Sequence, residues 1–237
     1  MTPASGTLSA ATATIAANTT TSAPFTYTDV AGTGTNTVTA TFGGSNAAAT
    51  VTVSTGANHL VINEVDYDQT VNPDSQEYVE IYNPSAATVN LTGKTLFLVN
   101  GANSEVYATI DLGSAGSLAP LSYLVIAGAG VTVPMTAKKI DPGWTTDKIQ
   151  NGAPDGMALV DTTTMTVIDA LSYEGSITAA QITGFGATTV NLVEGTATTA
   201  VDSGAGALCR NPNGQDTDNA AADWQLCATL TPGTANM

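Results

Sequence analysis

Residues 60–83 read LVINEVDYDQTVNPDSQEYVEIYN, two short β-branched runs that carry six carboxylates and no basic residue. Acidic side chains are depleted from strands, whereas Val, Ile and Tyr are enriched there. The end of the stretch, Glu77-Tyr78-Val79-Glu80-Ile81-Tyr82-Asn83, alternates the two classes. Successive side chains of a strand point to opposite faces. The alternation therefore predicts one buried face and one that is wet, paired or used for recognition.

Working outward, further strands are predicted at 95–99, 106–112, 122–127, 156–160 and 167–173. Asn83-Pro84, Asn100-Gly101, Asn151-Gly152, Pro154-Asp155-Gly156 and Glu174-Gly175 supply the turns between them. Short strands set between such turns indicate an all-β sandwich or barrel rather than alternating helices and strands. A helical period is not evident; residues 177–182 offer one turn at most. The composition shifts near residue 57. Over residues 1–56 the only charged side chain is Asp29, and Thr-rich strands are predicted at 13–16, 24–30, 35–42 and 47–54. Gly43-Gly44-Ser45-Asn46 joins the last two as a hairpin, because Gly and Asn accept positive φ. Two β domains are expected, 1–56 and 57–237.

Composition narrows the function classes. The 237 residues suffice for real hydrophobic cores. Twenty carboxylates against five Lys and Arg give a net charge of −15. Proteins that bind nucleic acids neutralise phosphates with clustered Lys and Arg, so direct nucleic-acid binding is not expected. The longest apolar run, near residues 123–131, is far shorter than the roughly 20 residues of a spanning helix, and no membrane insertion is expected. Met1-Thr2-Pro3-Ala4-Ser5-Gly6 has neither a basic nor an apolar signal region, so the chain is read as a piece of a longer precursor.

Cys209 and Cys227 lie 18 positions apart, with no Cys-x-x-Cys motif and a single, remote histidine, His59. A disulfide is predicted, and with it an oxidising, extracellular setting. Closing a loop of this size contributes about 3 kcal/mol in the chain-entropy account.

Two acidic groups are candidates for chemistry. Glu64, Asp66 and Asp68, with Asp74, Glu77 and Glu80 nearby, read first as a wet strand face and solvated loop. Their second reading is as oxygen ligands for Ca²⁺, which takes six to eight of them. Asp216, Asp218 and Asp223 read as a disulfide-closed loop rich in Asx turns, or again as a cation site. They lack the glycine and terminal glutamate register of an EF-hand. No cofactor is required, and Ca²⁺ is the ion either group would take.

No catalytic residue is assigned, and a non-enzyme is expected. Nucleophilic catalysis needs a base beside the nucleophile, and His59 is read as a linker residue at the domain boundary. There is no Gly-x-Ser-x-Gly and no phosphate-loop lysine, and His and Cys are too few for zinc. Trp144 and Trp224 are read as core or edge residues.

Two resemblances add to this reading. Residues 35–54, TNTVTATFGGSNAAATVTVS, are similar to the last two strands of bacterial immunoglobulin-like repeats of the intimin and invasin type. A complete repeat needs about seven strands, so the resemblance implies a truncated sandwich with an exposed sheet edge. Residues 58–236 resemble a lamin tail domain of the bacterial secreted branch. The motifs, in order, are Ile62-Asn63-Glu64-Val65, the 77–83 strand, Val89-Asn90-Leu91-Thr92-Gly93 and Leu118-Ala119-Pro120-Leu121-Ser122-Tyr123. Asp155-Gly156-Met157-Ala158-Leu159, Val167-Ile168-Asp169-Ala170-Leu171-Ser172-Tyr173 and a tail from Cys209-Arg210 to Thr231-Pro232-Gly233 complete the set.

The resemblance implies an immunoglobulin-like β-sandwich that is secreted or held at the cell surface. It implies a non-catalytic structural, adhesion or binding module with a protein or cell-surface partner, self-association through a sheet edge included. Two alternatives are an accessory targeting domain of a secreted nuclease or phosphatase, and a subunit of an extracellular filament.

Overall fold

The computed structural model describes residues 57–237 except 71, 72 and 187, and the backbone of four strands within residues 1–56. The chain divides into two compact units, Met1–Thr55 and Gly56–Met237.

In the first unit β1 (Gly6–Leu8) pairs antiparallel with β2 (Tyr27–Asp29), and β3 (Gly34–Phe42) with β4 (Ser45–Val53). The β3–β4 register sets Val38 opposite Ala49 and Phe42 opposite Ser45, so Ser45 and Asn46 belong to the strand rather than to its connection. The strand expected at 13–16 lies outside the described residues.

The second unit contains β5 (Val61–Asp66), β6 (Tyr78–Asn83), β7 (Val89–Asn90), β8 (Lys94–Asn100), β9 (Glu105–Asp111) and β10 (Ser117–Leu118). β11 (Ser122–Ala127), β12 (Lys138–Ile140), β13 (Asp155–Asp161), β14 (Thr166–Tyr173) and β15 (Ala207–Arg210) follow. A one-turn helix α1 (Ala220–Asp223) leads into β16 (Trp224–Cys227). Strands order as β12-β11-β6-β5-β15-β16 in one sheet and β14-β13-β8-β9 in the other, with β7 and β10 as a small separate pair. Among the described strands, pairings are antiparallel except β11–β12, and an isolated bridge between Glu105 and Gln181 is also parallel. The fold is an immunoglobulin-like β-sandwich. Among the described residues no helix is long and apolar enough to cross a membrane.

The core lies between the sheets. Ile62, Val79, Ile81, Leu124, Ile126 and Leu208 of the first sheet meet Leu96, Leu98, Ile110, Met157, Leu159 and Leu171 of the second. Along β5 and its flanks the core positions run Leu60, Ile62, then Val65 and Tyr67. The step of three, where a strand's period is two, marks a bulge between Ile62 and Glu64 that leaves Asn63 without a partner across the β5–β6 ladder.

The expected wet face is absent: every residue of β5 and β6 is buried. The reason is that both sheets are covered on their outer sides. Val131 and Val133 pack on Tyr78, Val125 and Ala127 of the six-stranded sheet. Ile177, Ala180, Ile182, Val190 and Leu192, an irregular segment rather than a helical turn, pack on Phe97, Val99, Ala158 and Val160. Cys209 and Cys227 are joined by a disulfide between neighbouring strands β15 and β16, with a Cα–Cα distance of 5.9 Å.

Candidate functional site

Each polar residue of the 77–83 strand holds a different loop. Both Glu77 oxygens accept backbone N–H groups, from Lys148 and Ile149. Glu80 accepts from the Asn63 side chain at 2.7 Å and from the Gly233 N–H at 2.6 Å. The Asn83 amide donates to the carbonyls of Ala87, Leu118 and Ala119. Glu64, which pairs with Glu80 across the β5–β6 ladder, accepts the Thr231 N–H at 3.1 Å and the Thr231 hydroxyl at 2.9 Å. Burial pushes Glu77 up to about 7 and Glu80 up to about 8, against an ordinary 4.5, while these hydrogen bonds pull the other way.

A second polar centre sits at the β5 bulge around Arg210, whose side chain is fully buried. Its Nε donates to the Ile62 carbonyl at 2.8 Å, and one terminal nitrogen donates to Asp169 Oδ1 at 2.7 Å. The other terminal nitrogen donates to the Gln215 carbonyl at 2.9 Å and lies 3.4 Å from both Asp216 and Asp223. The guanidinium rests 5.0 Å from the centre of the Trp224 ring. Asp169 comes from the opposite sheet, and its Oδ2 accepts the Ile62 N–H. The β15–β5 ladder pairs only Glu64 and Val65 of β5, and one ion pair takes both the N–H and the carbonyl of Ile62 beyond it.

Glu194 completes the shell at 3.4 Å from Arg210. Burial, then the adjacent Asp169 carboxylate, push the Glu194 carboxyl well above its ordinary 4.5, while Arg210 pulls the other way. Oxygens of Asp169, Glu194 and Asp216 lie within 4.8 Å of one another, the spacing of a metal site. The Arg210 guanidinium already serves these carboxylates as their cation.

A third acidic patch lies at the far end of β5. Asp202 accepts N–H groups from Tyr67, Asp68 and Gly204, and Asp74 accepts from Gln69. Asp66 accepts from the Gln69 side chain through Oδ2, while its buried Oδ1 has no partner among the described residues. A cavity of about 260 Å³ beside it is lined by Asp66, Asp68, Gln69 and the 204–206 segment, among others. Burial first, with the surrounding carboxylates adding to it, pushes Asp66 up to about 8.

The family model described as Lamin Tail Domain matches residues 53–175. The chain belongs to the lamin tail domain family. The match takes in β5 to β14 and stops before β15, β16 and the C-terminal segment. A crystal structure of a DUF4876 family protein from Bacteroides thetaiotaomicron is similar at 13% identity and a TM-score of 0.44, over 90% of this chain and 88% of that one. No curated protein matches the chain.

Within this lamin tail domain the residues singled out in sequence fall into three places. Glu64 belongs to the Thr231 clasp. Asp66 and Asp68 line the cavity at the end of β5. Asp216 and Asp223 join on Arg210, while Asp218, at φ 54°, is exposed and donates its N–H to Asp216. Asp223 also accepts from the Thr217 N–H and hydroxyl, and the Asp218 N–H donated to Asp216 is the Asx turn of this segment. His59, read as a linker residue, has its Nε2 3.3 Å from Asp216. Trp224 is a core residue and Trp144 packs against the core.

Sequence reasoning missed Arg210 and Glu194 as centres of the site. Arg210 is one of five basic residues in an acidic chain and sits in the Cys209-Arg210 motif, a usable signal. Glu194 lies in an irregular segment that carries none.

Proposed function

We propose that this lamin tail domain acts outside the cell or on its surface as a non-catalytic structural and binding module. The observation that carries the reading is the commitment of the densest acidic cluster. Asp169, Asp216 and Asp223 surround Arg210, and Glu64, Glu77 and Glu80 clamp loops through backbone N–H groups. Groups held in this way serve to fix the fold.

The Cys209–Cys227 bond supports an oxidising compartment. Partner contact would fall on the sheet edges. β16 ends the six-stranded sheet with Gln225 and Leu226 exposed, and an exposed edge offers strand addition to a protein partner or a second copy. The first unit, with its β3–β4 hairpin, is read as the closing part of a bacterial immunoglobulin-like repeat.

Localisation tests the proposal. Cells of the native host are fractionated, and free thiols are alkylated before and after reduction. The chain should appear in the medium or on the washed cell surface, with thiols alkylated only after reduction. A reduced chain confined to the cytosol would overturn it.

A further inference from the structure

We propose that the cavity at the end of β5 binds one divalent cation of the calcium class, anchored by the free Asp66 oxygen and the Asp68 carboxylate. The acidic residues here differ in how they are satisfied. Asp202 accepts three N–H groups, and so ties the 67–68 backbone to the 202–204 turn that walls the cavity. Asp74 accepts the Gln69 N–H. Asp66 is fully buried, yet among the described residues its Oδ1 has no hydrogen-bond partner, and Asp66 lines the cavity together with Asp68.

A buried carboxylate oxygen left unpaired is costly, and nearly all such groups in folded proteins have a partner. Among the described residues no Lys or Arg lines the cavity to supply one. Beside Ala228 and Leu230, the residues lining it carry oxygen: Asp66, Asp68, Gln69, Thr70, Gln76 and the backbone of Gly204 to Gly206. Oxygen donors without imidazole or thiolate select hard cations, and a mixed, flexible set with waters suits Ca²⁺ better than octahedral Mg²⁺. The walls are also close-fitting. A Cβ at Gly204, whose φ is +82°, would lie 3.1 Å from the Thr70 nitrogen, so glycine lets this turn approach the 69–70 backbone. Glu64, two residues before Asp66, takes no part, because Thr231 holds it.

Calorimetric titration of the chelator-treated full chain with CaCl₂ tests the site. One saturable site is expected, with Kd about 10⁻⁴ to 10⁻³ M as in extracellular calcium modules. Asp66→Asn and Asp68→Asn should each weaken it at least tenfold, and Asp218→Asn, in the Arg210 loop, should leave it unchanged. Asp68 is partly exposed, so its variant decides the matter should Asp66→Asn fail to fold. Absence of saturable binding, wild-type affinity in Asp68→Asn, or loss confined to Asp218→Asn would each overturn the proposal.

Discussion

Glu64 of β5 and Glu80 of β6 stand directly opposite one another in the sheet, and neither is exposed to solvent. Like charges in that relation are destabilising. The C-terminal segment resolves the conflict: Thr231 donates twice to Glu64, and Gly233 donates to Glu80. Asn236 then donates to the carbonyls of Asn63 and Arg210, which joins this clasp to the Arg210 centre.

The clasp makes the tail part of the fold. Thr231→Val keeps the shape and removes the hydroxyl donor to Glu64. Hydrogen bonds to charged groups contribute about 1.5–3 kcal/mol, so urea unfolding should show a loss of that order. An unchanged midpoint would mean that the tail merely rests on the sheet.

Stability should fall as pH rises from mildly acidic to mildly basic. Glu80 is raised from 4.5 to about 8 and Glu77 to about 7. Between 4.5 and these values the folded chain holds more protons than the unfolded chain, so unfolding free energy decreases with pH. Their contribution is complete below pH 4.5 and is lost as pH passes through about 7 to 8. The melting temperature should therefore be higher at pH 5.5 than at pH 8. A flat or rising profile across that range would contradict the burial of these carboxyls.

Arg210→Met should be among the most damaging substitutions. It leaves Asp169, Asp216 and Asp223 buried without their cation, and it frees the Ile62 carbonyl. Breaking a buried ion pair from one side costs about 3–5 kcal/mol. Denaturant unfolding measures this directly, and a loss under 1 kcal/mol would show that the carboxylates simply take up protons.

Reduction of Cys209–Cys227 should lower stability by about 3 kcal/mol without abolishing the β-sheet signal. The bond ties β16, the last strand of its sheet, to β15 and encloses the Arg210 loop. Parallel urea titrations with and without reductant give the difference. Equal midpoints would assign the loop's order to Arg210 alone.

Much of the second unit was legible in its sequence. Alternation at 77–83 located β6, and short apolar runs between turn signals at 122–127 and 167–173 located β11 and β14, because both signals are local. The turn residues located the breaks for the same reason. Candidate acids were visible too, yet their grouping was not. Glu64 meets Thr231 across 167 residues, Glu80 meets Gly233 across 153, and Asp169 meets Ile62 across 107.

The sequence by itself, from which β12, β15 and β16 were not read, determined an all-β sandwich, the positions of β5, β6, β8, β9, β11, β13 and β14, its cysteine pair and its excess of acid. These rest on side-chain periodicity, turn chemistry and composition, all read within a few residues. Only the tertiary structure decided that the acidic face of β5 and β6 is dry. Whether a carboxylate on a strand meets water or a backbone N–H depends on which remote segment folds over it. Here the C-terminal segment covers Glu64 and Glu80, Arg210 draws Asp169, Asp216 and Asp223 together, and Asp66 keeps one oxygen free beside a cavity.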